Sequence, residues 1–175
     1  MFMMDTNVLS HGSKPARNQN RTITEWFKNQ PSIAIPFPVL VEIQQGIITV
    51  GREQPAKARE LEQWLEGVLE ADYLYPEATP AVARKLAEMN CCRPLKHLWY
   101  VNEQAKDKKP GMDLFIAAMA IVYDMPIATL DIWDFVCIHK YFPLPGVYDP
   151  SVDSWIIVEV RKGLTRTDTT LVLGP

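Results

Sequence analysis

Met1-Phe2-Met3-Met4 is a short apolar run without alternation, and it stops at an acid, Asp5. A strand that is apolar on both faces needs cover on both sides, which is the situation of a central parallel strand. The start of the chain therefore belongs in the core of an α/β sheet, with Asp5 at the strand's carboxyl end. Pro126-Ile127-Ala128-Thr129-Leu130 reads as another such strand and ends in the same way, at Asp131.

Between these two runs the signals alternate. Residues 10–20 carry loop signals, and Ile23, Trp26 and Phe27 then recur at i, i+3, i+4, predicting a helix. Residues 31–36 contain a second short strand. Val39-Leu40-Val41-Glu42-Ile43-Gln44-Gln45-Gly46-Ile47 reads as a helix, with Gly46 marking a bend or close packing. Residues 55–70 are the clearest helix, because Leu61, Trp64, Leu65, Val68 and Leu69 form one apolar stripe. Tyr73-Leu74-Tyr75 reads as a further strand, residues 80–89 as a helix with Pro80 in its first turn, and residues 113–123 as a helix whose Ala117, Ala118 and Ala120 permit close approach to a sheet. This order implies right-handed crossovers and a mainly parallel sheet flanked by helices.

Residues 90–111 are mixed in composition and read as a long mobile segment placed to act as a rim or lid before Asp113. The trio His97, Trp99 and Tyr100, near Lys96, fits either an apolar cluster under a loop or a platform for a single-stranded base. After Pro150 the pattern changes: residues 155–160 and 169–173 flank Arg161-Lys162-Gly163, as a β-hairpin would. The expected organisation is one domain over residues 1–150 with a carboxyl-terminal extension over 151–175. A chain of 175 residues with 47% hydrophobic residues supplies a real core for one domain.

A net charge of −3 argues against a broad basic surface for duplex DNA. Lys106-Asp107-Lys108-Lys109, Arg161-Lys162 and the group Lys14, Arg17, Arg21 leave room for a local phosphate-gripping rim, although a solvated face is the ordinary account of each. Three cysteines, two of them adjacent, make neither a disulfide framework nor a zinc spacing and point to a reducing compartment. The first residues lack a signal peptide's basic region, and no apolar run reaches the roughly 20 residues of a membrane span. The expectation is a cytoplasmic protein without membrane contact.

Five acids stand where a strand gives way to a helix or inside a helix's first turn: Asp5, Glu42, Asp113, Asp131 and Asp134. Each has a structural role available, since Asp is a preferred helix N-cap and acids in a first turn favour the helix dipole. Those separate roles do not require them to converge, whereas the carboxyl edge of an α/β sheet does collect sites. Clustered carboxylates repel one another unless a cation holds them, and an all-oxygen set suits Mg²⁺ or Mn²⁺. Thr6 and Asn7 are candidates to orient Asp5 or a bound water, and Thr129 lies two residues before Asp131. His11, His97 and His139 have no zinc spacing, and there is neither a Gly-rich phosphate loop nor a Gly-x-Ser-x-Gly elbow.

Four blocks in order, Asp5-Thr6-Asn7-Val8-Leu9-Ser10, Val41-Glu42-Ile43-Gln44-Gln45-Gly46-Ile47, Asp113-Leu114-Phe115-Ile116-Ala117-Ala118 and Thr129-Leu130-Asp131-Ile132-Trp133-Asp134-Phe135, resemble the signature blocks of PIN-domain proteins, and within them the VapC and FitB-like toxins of bacterial type II toxin-antitoxin systems. The resemblance covers about residues 1–150 and implies a three-layer PIN-like fold. It implies a Mg²⁺- or Mn²⁺-dependent endoribonuclease, with Asp5, Glu42, Asp113 and Asp131 catalytic and Asp134 joining them as a metal ligand. It further implies a homodimer bound to a small VapB-like antitoxin that also binds promoter DNA. The chain departs from the family at Pro36-Phe37-Pro38, where a small hydroxyl-rich turn is usual, in the length of residues 90–111, and in the tail after Pro150. Two rival readings are a weakly or non-catalytic PIN module acting with a DNA-binding antitoxin in transcriptional control, and a small-molecule phosphatase, whose Asp-x-Asp pair is missing at Asp5-Thr6-Asn7.

Overall fold

The computed structural model describes residues 1–100 and 110–158. Strand β1 (Phe2–Met4) is central: β2 (Ile33–Ala34) lies on one side and β3 (Ile127–Ala128) on the other, both parallel to it. β4 (Gly146–Asp149) adds parallel to β3, and β5 (Ser154–Val158) closes the order β2-β1-β3-β4-β5 as an antiparallel edge. Met3 and Met4 are fully buried, as a strand covered on both faces requires.

The helices arise where the sequence signals them. The four-residue helix α1 (Thr6–Leu9) comes directly after β1, and α2 (Arg21–Lys28) starts where the Asn20 side chain accepts from the Thr22 amide at 2.9 Å. α3 (Phe37–Gly51) and α4 (Pro55–Leu69) carry proline in their first turns, where its missing N–H costs nothing, and pack on each other. α5 (Pro80–Asn90) packs on α6 (Asp113–Tyr123), whose Ala117, Ala118 and Ala120 are fully buried and let the helix sit close to its neighbours. α7 (Ile132–His139) buries Phe135 and Ile138. The result is an α/β three-layer fold with a mostly parallel sheet.

Two expectations change. Tyr73-Leu74-Tyr75 is not a strand of any length: Leu74 makes a single parallel bridge to Ala34, with its amide donating to the Ile33 carbonyl at 3.1 Å. Residues 93–99 of the expected rim form a 3₁₀ turn, Arg93–Trp99, anchored by Leu95 and Leu98, which fall on the same side of a three-residue repeat and are both buried, while residues 101–109 lie outside the described residues. The strand at Trp155 pairs back onto β4, so residues on both sides of position 150 share one sheet. The proposed partner strand at 169–173, the Lys106–Lys109 run and Arg161-Lys162 lie outside the described residues. Among the described residues no helix is long and apolar enough to cross a membrane.

Candidate metal centre

The chain leaves β1 to pair with β2 on one side and later with β3 on the other, so the sheet has a switch point at the carboxyl ends of β1 and β3. Asp5 stands at the end of β1, its amide donating to the Ala128 carbonyl of β3 at 3.0 Å. Its carboxylate is only 3% exposed and accepts two hydrogen bonds, from the Thr6 amide at 2.7 Å and from the Thr129 hydroxyl at 2.6 Å.

Around this carboxylate the structure brings together the other predicted acids. Asp5, Thr6, Asn7, Glu42, Asp113, Asp131 and Asp134, with His97, Leu98 and Tyr100, line one cavity of about 550 Å³. Glu42 comes from the second turn of α3, where Pro36-Phe37-Pro38 starts the helix without a side-chain cap, and its carboxylate accepts from the Thr6 hydroxyl. Asp113 opens α6, and Asp134 lies in the first turn of α7. Asp131 sits at the N-cap position of α7 but makes no capping bond; it accepts instead from the Asn7 amide at 2.9 Å.

Thr6, Asn7 and Thr129 thus have divided tasks. Thr6 bridges Asp5, through its amide, and Glu42, through its hydroxyl. Asn7 grips the loop after β3 with both ends of its side chain, accepting from the Leu130 amide at 3.0 Å while donating to Asp131. Thr129 is fully buried behind the cavity, where its hydroxyl donates to Asp5 and accepts from the Asp131 amide at 2.9 Å.

Electrostatics record the crowding. Burial raises the Asp5 carboxyl to about 7, against the pull of the Thr129 and Thr6 hydrogen bonds and with the charges of Asp131 and Glu42 adding to the rise. Asp113 is raised to about 8, first by burial and then by Asp5, Asp134, Glu42 and Asp131, so all four other acids act on it. Glu42 is shifted upward by burial and by Asp131, and Asp134 upward by burial and by Asp131, with His97 opposing. No basic side chain lines the cavity among the described residues except His97.

This donor set fits a hard divalent cation. The oxygens are carboxylates, hydroxyls and amide carbonyls, no thiolate approaches, and a dication offsets the repulsion that lifts Asp5 and Asp113. Among the described residues no three His, Cys, Asp or Glu side chains close into a finished coordination shell. Hydrogen bonds hold Asp5, Glu42 and Asp131 back in their own places, which suits a Mg²⁺-like ion that keeps several of its waters.

The turn Arg93–Trp99 supplied cavity residues that sequence reasoning assigned to packing or to a rim. His97 and Tyr100 carry no motif, and the usable signal was the Leu95–Leu98 spacing, which anchors the turn and so fixes His97 within it and Tyr100 at its end.

No curated protein sequence matches the chain. Solved structures that share its fold include FitAB bound to an IR36 DNA fragment (TM-score 0.59, 20% identity, covering 86% of this chain and 96% of that one); VapBC-1 from nontypeable Haemophilus influenzae (0.54, 19%, covering 86% and 98%); and a toxin-antitoxin complex from Klebsiella pneumoniae (0.53, 16%, covering 86% and 98%). At such identities the likeness is one of fold. The PIN-domain family model matches residues 2–132, a span that begins in β1 and takes in all of the acids but Asp134, and the chain belongs to the PIN-domain family.

Proposed function

We propose that this protein is the toxin of a type II toxin-antitoxin pair, a Mg²⁺- or Mn²⁺-dependent endoribonuclease that hydrolyses RNA phosphodiester bonds in the cytoplasm. The observation that carries the reading is the convergence of Asp5, Glu42, Asp113, Asp131 and Asp134 on one cavity at the sheet's switch point. In this reading Asp5, Glu42, Asp113 and Asp131 are catalytic, and these four with Asp134 hold the cation. When bound, the cation supplies an activated water and neutralises charge on the scissile phosphate. Asp5 and Asp113 must give up their protons to receive it. Thr6, Asn7 and Thr129 keep the carboxylates in place so that little ordering remains to be done at the moment of reaction.

The fold likeness to VapBC-1 and to the Klebsiella toxin-antitoxin complex supports a VapB-like antitoxin as partner; a homodimer inside the larger complex is part of the same proposal. Residues 1–150 form the nuclease domain in this proposal, and residues 151–175 its extension. A second reading, a weakly or non-catalytic module that controls transcription with a DNA-binding antitoxin, draws on the likeness to FitAB, whose structure contains a DNA fragment.

Titration of Mn²⁺ into purified protein with RNA tests both. Cleavage that depends on the divalent ion and is lost in Asp5→Asn supports the nuclease. Undiminished cleavage by that variant removes Asp5 from the mechanism, and a wild type that cuts no RNA yet co-purifies with a DNA-binding protein favours the second reading.

A further inference from the structure

A second cavity, of about 500 Å³, adjoins the acid-lined one. It is mostly apolar and aromatic, with Trp99, Tyr100, Met112, Leu114 and Phe115 among its walls and the exposed Cys91 at its margin. The two cavities share structure. Tyr100 lines both, and Asp113, which faces the acids, is flanked in sequence by Met112 and Leu114, which face the apolar space. The Gly111 amide donates to the Trp99 carbonyl at 2.8 Å, holding the approach to α6 against the Arg93–Trp99 turn, so the common wall is a fixed one.

We propose that this apolar cavity binds an unpaired nucleobase of the RNA whose phosphate occupies the acid-lined cavity, a proposal that rests on the nuclease reading above. A nucleotide joins a charged group to a flat, largely apolar ring, and the two adjoining cavities offer those two environments across one wall. Tyr100, 38% exposed, presents an aromatic surface to the shared boundary, and bases stack on such surfaces whatever their identity. Trp99, half-buried beside Tyr100, adds a second aromatic ring to the cavity wall. Lys96, from the same turn, keeps its ammonium 5.3 Å from the Trp99 ring centroid and adds a positive charge for the RNA backbone. An unpaired base reaches this space without the cost of leaving a duplex, which favours single-stranded RNA at the cut.

The test compares wild type, Tyr100→Ala, Tyr100→Phe and Cys91→Trp on a short fluorescent single-stranded RNA. Both binding and Mn²⁺-dependent cleavage are measured, with an intact or an abasic nucleotide beside the cut. Tyr100→Ala and Cys91→Trp, which remove the platform and fill the space, are expected to raise Kd and KM roughly five- to a hundred-fold with a smaller change in kcat. Tyr100→Phe keeps the ring and is expected to recover most of the affinity that Tyr100→Ala loses. The abasic RNA is expected to bind wild type as weakly as intact RNA binds Tyr100→Ala. Cleavage with KM and Kd insensitive to both variants overturns the subsite and leaves the nuclease standing. Tyr100-dependent binding without any cleavage sinks the nuclease and leaves the subsite. Variants that keep RNA affinity but lose a co-purifying protein partner make the cavity a protein-docking surface and overturn the proposal.

Discussion

The Thr129 hydroxyl donates to the Asp5 carboxylate at 2.6 Å across 124 residues of sequence, joining the ends of β1 and β3 in one buried contact. The same oxygen accepts from the Asp131 amide, so a single side chain sets the spacing of two acids. Thr129→Val keeps the shape and removes both bonds, together with the longer one at 3.5 Å that the hydroxyl accepts from the Asn7 side chain. Stability is expected to fall by about 1–3 kcal/mol, read from chemical denaturation, because a buried acceptor loses its donor. The Asp5 pKa is expected to climb further, since this hydrogen bond favours the ionised form, and half-saturation with Mn²⁺ should then need a higher pH.

Asp5→Asn replaces a buried, crowded acid with a neutral group of the same shape. Divalent-dependent RNA cleavage is expected to fall at least roughly a hundred-fold. The melting temperature of the metal-free protein should change little, because relief of repulsion opposes the loss of one of the two hydrogen bonds that the carboxylate accepts. Circular dichroism and a cleavage assay on the same preparation separate the two effects.

Asn7→Ala frees the loop after β3, which Asn7 holds at Leu130 and Asp131. Loss of such an orienting contact costs about 10–100-fold in metal affinity in other sites. Isothermal titration with Mn²⁺ should show a weakening of that size with little change in fold, and unchanged affinity would mean that Asp131 takes no part in holding the ion.

The folded protein keeps protons on Asp5 and Asp113 up to about 7 and about 8, whereas the unfolded chain releases them near 3.8. Between these limits the native state binds more protons, so metal-free stability is expected to fall as pH rises from about 4 through about 8. Mg²⁺ should reverse the trend at the alkaline end by occupying the ionised carboxylates. Urea midpoints at pH 5.5 and pH 8.5, with and without the ion, check the sign. Binding of Mn²⁺ near pH 7 should also release protons, measurable in weakly buffered solution.

Gly111→Ala would drive a methyl carbon into the Leu98 carbonyl oxygen, which is backbone and cannot swing away. The approach to α6 would have to separate from the Arg93–Trp99 turn. A loss of at least about 1–3 kcal/mol is expected in denaturant titrations, together with weaker RNA binding if the two cavities act as one site.

Much of the sheet was legible locally. The uninterrupted apolar run before Asp5 and the one before Thr129 are strands for the same reason, cover on both faces, and proline in the first turns of α3, α4 and α5 fits the helix starts. Tyr73-Leu74-Tyr75 misled because β-favouring composition does not supply a partner, and only Leu74 reaches one. Within the 90–111 stretch, residues 93–99 misled because mixed composition hides a three-residue repeat, so Leu95 and Leu98 anchor a turn that reads as loop.

The sequence by itself determined that acids would stand at the ends of apolar strands and in first turns, because both features depend on neighbours a few residues away. It also carried the resemblance to PIN domains in the order of four short blocks. Which acid leans on which partner was decided only by the tertiary structure: that Thr6 serves Glu42 as well as Asp5, that Asn7 serves Asp131, and that Asp113 feels four other charges. The reason is the parallel sheet. Its strands align only after long crossovers, so the distances that govern Coulomb repulsion and hydrogen bonding at their ends are set by strand order and register, quantities that no local pattern encodes.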